Sequence, residues 1–358
     1  MLRRPAPPGP AATLPPVAAR PTLRDVANAA GVHPATASRA LNDATRGLVR
    51  PATVAKVRAV AAELGYQVNP IARSLKTARS ETVGVLVPDI TNPLFPPIVR
   101  GIEDELAGSG YTVLTTNTDN DPDRTASSFA VMQARQVDGF IVATALRDDP
   151  LLEDAAARGV PMVLVNRQTE HLDVSTVAGD DAGGVARTVD HLVELGHREI
   201  AHIAGPQNVS TGVTREQAFR SAMQRHGLSD HRVVEAEAYS EPAGRAALLE
   251  LLAYERPTAV VAGNDLLAIG CYDALEESGM SCPDDMSVAG FNDMPFIAHL
   301  RPPLTSVRVP QYELGVEAAR LLLDRLTGRT VTPRVVLLPV TLVVRGSTAP
   351  PPRSRTRR

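Results

Sequence analysis

Thr36, Ser38 and Arg39 are the first residues of this chain whose types and spacing suggest chemistry. They lie in PATASRAL, where Pro34 suits a first helical position that needs no amide donor and Ala37, Ala40 and Leu41 form an apolar stripe. Two hydroxyls and a guanidinium outside that stripe are what a short helix needs to meet base edges and phosphates in a DNA major groove. Enzymatic signals do not survive the same scrutiny. Asp119, Asp121 and Asp123 imitate the start of a calcium loop, but Arg124 and Ala130 stand where its Gly and Glu are required. The chain has no P-loop, GxGxxG or GxSxG. His191, His197 and His202 are spaced too irregularly to put three nitrogens on one helical face, and His197, in a turn leading to a strand, is expected to make a local hydrogen bond. No catalysis is expected.

The elements that must position these groups follow from short-range signals. Thr22 can cap a first helix whose Leu23, Val26, Ala27 and Ala30 recur at helical spacing, Gly31 stops it, and Val32 is the apolar residue of the turn before the second helix. On this stretch alone an ordinary helical hairpin is the alternative. Pro51 opens a third helix running to Leu64, with Val54, Val57, Val60 and Ala61 facing inward. Charge supports the nucleic-acid reading. Residues 1–80 carry 12 Lys/Arg and 3 Asp/Glu, while the rest carries 25 and 37, so a basic head sits on an acidic body within a net charge of -3.

The 358 residues and 44% hydrophobic content allow two or three domains with a large core, built from Ala, Val, Leu and Ile because aromatics are 3% and Trp is absent. Cys271 and Cys282, the two cysteines, match no CxxC pattern and suit a reduced, cytoplasmic setting. Residues 1–20 are broken by prolines where a signal peptide needs an apolar run, and no stretch reaches the roughly 18 apolar residues of a membrane span. Residues 1–20 and 347–358, Pro-rich and basic, are expected to be disordered tails. Between them, apolar runs at 83–87, 112–116, 139–143, 161–165, 200–204, 258–262 and 286–290 alternate with helical stretches. That alternation means parallel sheets covered by helices, and its recurrence on either side of about Gly179 predicts two similar α/β lobes.

Ordered markers run through the chain: TLRDVANAAGV, TASRALN, GYQVNPIARSL, VGVLVPDITNPLF, VDGFIV, LGHREIAHIAGP, AVVAGNDLLAIG, VAGFND and PPLTSVRVP. In this set, from about Thr22 to Gly346, the chain resembles the LacI/GalR family of transcription regulators. The resemblance implies a helix-turn-helix DNA-binding domain at 21–68, a hinge helix at 69–79, and a core at 80–346 with the fold of periplasmic sugar-binding proteins, its chain crossing three times between two parallel-sheet lobes. On that pattern lobe one is about 80–178 plus 305–329 and lobe two about 179–304 plus 330–346.

The same resemblance implies a DNA-contacting set of Thr22, His33, Pro34, Ala35, Thr36, Ser38, Arg39, Asn42, Tyr66, Asn69, Ala72 and Leu75. His33 stands at the family's usual Ser cap. Pro34 and Ala35 occupy base-facing positions but cannot hydrogen-bond there, which leaves thymine methyl contact to them and guanine reading to Arg39. Leu75 matches a leucine that wedges into the minor groove, and Ala72 the small residue that lets two hinge helices approach. For the cleft between the lobes the implied effector set is Phe95, Asn166, Thr211, Arg215, Tyr239, Asn264 and Asn292, with Asp265 structural. Phe95 and Tyr239 either cover the ligand or simply pack. Asn166 and Asn292 replace aspartates usual in the family, so a sugar, the commonest effector there, and a nucleobase both stay open.

One helix-turn-helix reads few bases, so a homodimer on a pseudopalindromic double-stranded operator is expected, with the 94–106 and 270–280 helices at its interface. The expected function is a repressor without cofactor or metal, controlled by a small-molecule effector, with no membrane partner. Whether that effector is inducer or corepressor is not legible. A sugar-binding transport component or ligand-binding module of the same core fold is the alternative, disfavoured by the basic head.

Overall fold

The structure, a computed structural model, describes residues 21–42, 45–67, 79–254, 256–329 and 332–352. The hinge positions Asn69, Ala72 and Leu75 and the expected tail at 1–20 lie outside the described residues. The chain divides into two compact units, 1–78 and 79–358.

The first unit contains α1 (Leu23–Ala30), α2 (Pro34–Leu41) and α3 (Pro51–Glu63), with a single 3-10 turn at Arg46–Leu48. Thr22 and Asp25 close α1 with a reciprocal capping box, satisfying amides that a helix end leaves without partners. Gly31 ends it at φ 62°, a left-handed conformation that disfavours a Cβ. Val26, Ala27, Ala30, Ala37, Ala40, Val57 and Ala61 form a small core of their own. Its small side chains let three short helices pack closely.

The second unit has two six-stranded sheets. In order along the chain come β1 (Thr82–Val87), α4 (Phe95–Gly108), β2 (Thr112–Asn117), α5 (Pro122–Ala134), β3 (Gly139–Val142), α6 (Pro150–Ala157), β4 (Met162–Val165) and β5 (Thr176–Gly179). There follow α7 (Asp181–Glu194), β6 (Ile200–Ala204), α8 (Ser210–Arg225), β7 (Val233–Glu235), α9 (Glu241–Tyr254), β8 (Ala259–Ala262), α10 (Asp265–Glu277) and β9 (Ser287–Asn292). Last are β10 (Thr305–Arg308), α11 (Gln311–Leu326), β11 (Val335–Leu338) and β12 (Thr341–Val343). The first sheet has the order β11-β5-β4-β3-β1-β2 and the second β12-β10-β9-β8-β6-β7. Pairing is parallel except between β10 and β12. Parallel strands direct their carboxyl ends to one edge, which is where the intervening loops can converge on a ligand.

Two boundaries differ from the sequence expectation. Residues 305–308 belong to lobe two, because β10 pairs with β9, and 335–338 belong to lobe one, because β11 pairs with β5. The chain therefore crosses after β5, between β10 and α11, and between β11 and β12. The final segment also departs from expectation: residues 347–349 are built into lobe two. Ser347 is buried, donates to the Val288 carbonyl at 2.6 Å, and its own carbonyl accepts from the Val288 amide at 2.9 Å. The Ala349 carbonyl accepts from Ser287 Oγ and sits 2.8 Å from His197 Nε2. The local hydrogen bond expected of His197 is replaced by long-range ones: besides Ala349, its Nδ1 lies 2.8 Å from Thr258 Oγ1, on the segment leading to β8.

Helices α4 and α11 cross with their backbones in contact. A Cβ on Gly101 would sit 2.1 Å from the Tyr312 carbonyl oxygen, and one on Gly315 would sit 2.0 Å from that of Ile98. This packing already buries Leu94, Phe95, Ile98, Val99, Ile102 and Leu106 within the chain. The exposed positions of the 94–106 stretch are Pro96, Arg100, Glu103 and Asp104. No helix among the described residues is long and apolar enough to cross a membrane.

Candidate ligand cleft and nucleic-acid interface

On the first unit, His33 caps α2, its Nδ1 accepting from the Ala35 amide at 3.2 Å. Ala37 and Ala40 anchor the helix, leaving Ala35 and Arg39 exposed and Ser38 half-exposed within one turn on the opposite side, with Pro34 and Thr36 half-buried beside them. Arg39 is exposed, and no carboxylate among the described residues neutralises it. Thr22 is occupied by its capping box, while Asn42 closes the other end of α2 and Tyr66 packs on the headpiece core. A hydroxyl, a guanidinium and a methyl group face outward together, a surface suited to base edges.

In the second unit a cavity of about 370 Å³ lies between the lobes, within the range of small-molecule sites. Phe95, Asn166, Thr211, Arg215, Tyr239, Asn264 and Asn292 all line it. Phe95 enters from the first turn of α4 and Asn166 from the end of β4, both in lobe one. The other five come from lobe two. Asn264 caps α10 through Oδ1, which accepts from the Leu267 amide at 2.9 Å, so its remaining capacity to meet a ligand is its amide nitrogen. Asn292 ends β9 at φ 113°; its carbonyl accepts from Gln311 Nε2 across the lobe boundary at 2.9 Å, and its buried Oδ1 has no partner. An unpaired buried acceptor at a cavity wall favours a ligand that donates to it.

Arg215 is the most constrained member. Its Nε donates to Asp181 Oδ2 at 2.8 Å, its Nη1 donates to the Gly263 carbonyl at 2.7 Å, and the guanidinium lies 3.8 Å over the Phe291 ring. Burial opposes the charge, but attraction to Asp181, with smaller help from Tyr239 and Asp265, holds the guanidinium above its ordinary range. Arg215 therefore stays a fixed cation. Tyr239 donates to Thr211 Oγ1 at 3.1 Å and fills the space that a Cβ on Gly205 would occupy, so it both packs and lines the cavity. Burial raises its hydroxyl above the usual phenol range. Asp265 faces away from solvent, accepting from Ser306 Oγ at 2.5 Å and the Met294 amide at 2.8 Å, a role internal to lobe two.

Sequence reasoning missed Asp181, Phe291, Asn120 and Arg167. Asp181 follows β5, whose TVAG is too short and mixed to stand out as an apolar run. Arg167 directly follows Asn166 and the buried strand β4, and a charged residue at the exit of such a run was the signal available. Alongside the cavity, lobe one reaches lobe two through the Arg147 amide on the Asn208 carbonyl at 3.0 Å and the Gln168 amide on Ser210 Oγ at 2.9 Å.

Residues 22–69 match bacterial regulatory proteins of the lacI family, and residues 189–348 match a periplasmic binding protein-like domain. The transcriptional repressor CytR of Escherichia coli (strain K12) is 34% identical over 91% of this chain and 96% of its own. The transcriptional regulator CelR of Thermobifida fusca is 36% identical over 92% of this chain and 98% of its own. Among solved structures, the lac repressor dimer bound to operator and the anti-inducer ONPF superposes with a TM-score of 0.83 at 29% identity, covering 92% of this chain and all of that one. The complex of transcriptional regulator CelR with cellobiose superposes at 0.69 with 34% identity over the same share of both chains. With a helix-turn-helix head and a two-lobed core joined in one chain, and with relatives matched over nearly their whole length, this chain belongs to the LacI family of bacterial regulatory proteins and is a transcription regulator.

Proposed function

We propose that this regulator is a dimeric repressor whose grip on a pseudopalindromic operator is set by a small carbohydrate held between its lobes. The observation that carries this reading is the convergence of Phe95 and Asn166 from one lobe with Thr211, Arg215, Tyr239, Asn264 and Asn292 from the other on a single cavity. A ligand touching both walls binds one lobe arrangement better than another, and that difference in affinity is what shifts the equilibrium. The cellobiose complex of CelR supports a sugar as the ligand class. The operator complex of the lac repressor dimer supports paired headpieces, each placing Ala35, Ser38 and Arg39 in a major groove. Thr22, His33, Pro34, Thr36, Asn42 and Tyr66 position that face. The protein works in the cytoplasm, where the DNA is, and needs neither cofactor nor catalytic group.

The test is binding of the purified protein to DNA from upstream of its own gene, against a scrambled duplex, while sugars and purines are added. Specific binding abolished by one sugar establishes induction, and binding that requires a sugar establishes corepression. Preference for no duplex under any condition would refute the regulatory reading of the head, and a response to a purine alone would refute the carbohydrate reading of the cleft.

A further inference from the structure

Arg167 carries the argument from the cleft to the chemistry of its ligand, an inference that rests on the cleft reading above. Its side chain is 6% exposed, yet it lines the cavity. Its hydrogen bond runs from Nη2 to Asn120 Oδ1 at 3.0 Å, and no carboxylate among the described residues pairs with it. The contrast with Arg215, in the facing wall from lobe two, is direct: that guanidinium has Asp181 at 2.8 Å. Asn120 secures Nη2 of Arg167, and the residue lines the cavity.

A buried cation with spare N–H donors is an unfavourable arrangement until an anion completes it. Burial lowers the Arg167 guanidinium to about 10, partly offset by Tyr239, so it remains charged at neutral pH. We propose that the cleft takes a polyhydroxylated ligand bearing an anionic group, a phosphate or a carboxylate, that forks onto Arg167. Planar paired donors match either anion. The cavity's own carboxylates do not compete for this place. Asp89 Oδ1 already accepts from the Thr91 amide and hydroxyl at 2.8 and 2.7 Å, and Glu237 is exposed. Both suit hydroxyl donors on the remainder of the ligand, as does the unpaired Oδ1 of Asn292.

The experiment is calorimetric titration of the full chain with matched pairs: ribose and ribose 5-phosphate, glucose and glucose 6-phosphate, glucose and gluconate. In at least one pair the anionic member should bind about 10- to 100-fold more tightly than its neutral partner. Arg167→Gln should erase that preference, and Arg167→Lys should keep part of it, retaining charge without the fork. Thermal melting of both variants checks that they fold. The winning pair identifies phosphate or carboxylate as the anion. Equal binding of charged and neutral members, or a preference that survives Arg167→Gln, overturns the anion proposal while leaving the sugar cleft intact. Binding by no member of any pair overturns both readings.

Discussion

Replacing Arg215 by methionine separates the stability of the cleft from its function. The change leaves Asp181, which burial already pushes above the usual carboxylate range, without its cation in a site where its side chain is 11% exposed, removes the donor 2.7 Å from the Gly263 carbonyl, and takes the cation off the Phe291 ring. Removing one partner of a buried ion pair costs about 3–5 kcal/mol, chiefly because the surviving charge has no water. The other two losses overlap with that figure and are not added to it. For a two-lobed core of this size the drop corresponds to roughly 10 °C in melting temperature. Arg215→Met combined with Asp181→Asn removes the stranded charge as well, so the pair should recover about 2 kcal/mol or more relative to the single variant. Urea unfolding followed by circular dichroism, with all three proteins at one pH, measures the difference. Operator binding by fluorescence anisotropy then reads function. The double variant should bind DNA yet ignore the effector, since the headpiece has its own core while the clamp is gone. A loss below about 1 kcal/mol in Arg215→Met, or a double variant no more stable than the single one, would refute the argument that removing Arg215 strands a buried charge on Asp181.

Opposing pH slopes are expected from two buried groups in lobe two. Burial lowers His202 to about 4, although its Nδ1 donates to the Val261 carbonyl, and burial raises Asp265 to about 7 despite its bonds from Ser306 and Met294. Between about 4 and 6.5 the unfolded chain protonates His202 more than the fold does, so its contribution, about 3 kcal/mol, is present above 6.5 and lost on acidification. Asp265 acts with the reverse sign: the fold holds its proton more tightly, so its contribution falls as pH rises from 3.8 to about 7. His202→Gln should make the protein more stable on acidification through this window and Asp265→Asn less stable, measured by urea midpoints from pH 4.5 to 7; identical slopes in both variants would contradict the assignment. Gly101→Ala and Gly315→Ala should each destabilise the core by about 1–3 kcal/mol or more, because the added methyl meets a carbonyl of the crossing helix; unchanged melting would exclude so close a crossing. Arg39→Ala should relax base choice at one position per half-site by about 1–3 kcal/mol, and unchanged selectivity across operator variants would remove Arg39 as a base reader.

The headpiece was legible in the sequence because its signals act over a few residues. Thr22, Gly31, Pro34 and Pro51 mark helix ends through their own capping and dihedral chemistry, and the Ala and Val spacing names the buried face. Seven of the twelve strands among the described residues were visible as apolar runs, and apart from the edge strand β2 they are buried parallel strands, which need continuous hydrophobicity. The five others are short, mixed or peripheral; TVAG in β5 and VVE in β7 carry little pattern of their own.

Family resemblance placed seven residues at the cavity wall, and the periodicity of the chain could not have done so. Phe95 and Asn292 lie far apart in sequence and meet because parallel strands deliver their carboxyl ends to the same edge of each lobe. Sheet order was likewise a tertiary decision. Residues 305–308 and 335–338 sit in the lobes opposite to those expected because each extended segment takes the edge that offers unpaired backbone groups, a choice its own sequence does not encode. Ser347 and Ala349 looked like a tail by composition, yet lobe two supplies them with backbone and side-chain partners. Arg167 makes the same point at the cleft. Its charge was plain in the sequence, but that it is buried without a carboxylate follows only from what the folded chain places around it. Local sequence determined which segments form helices and strands and where they stop; the tertiary fold decided which of them are neighbours, and therefore which polar groups are paired and which are left for a ligand.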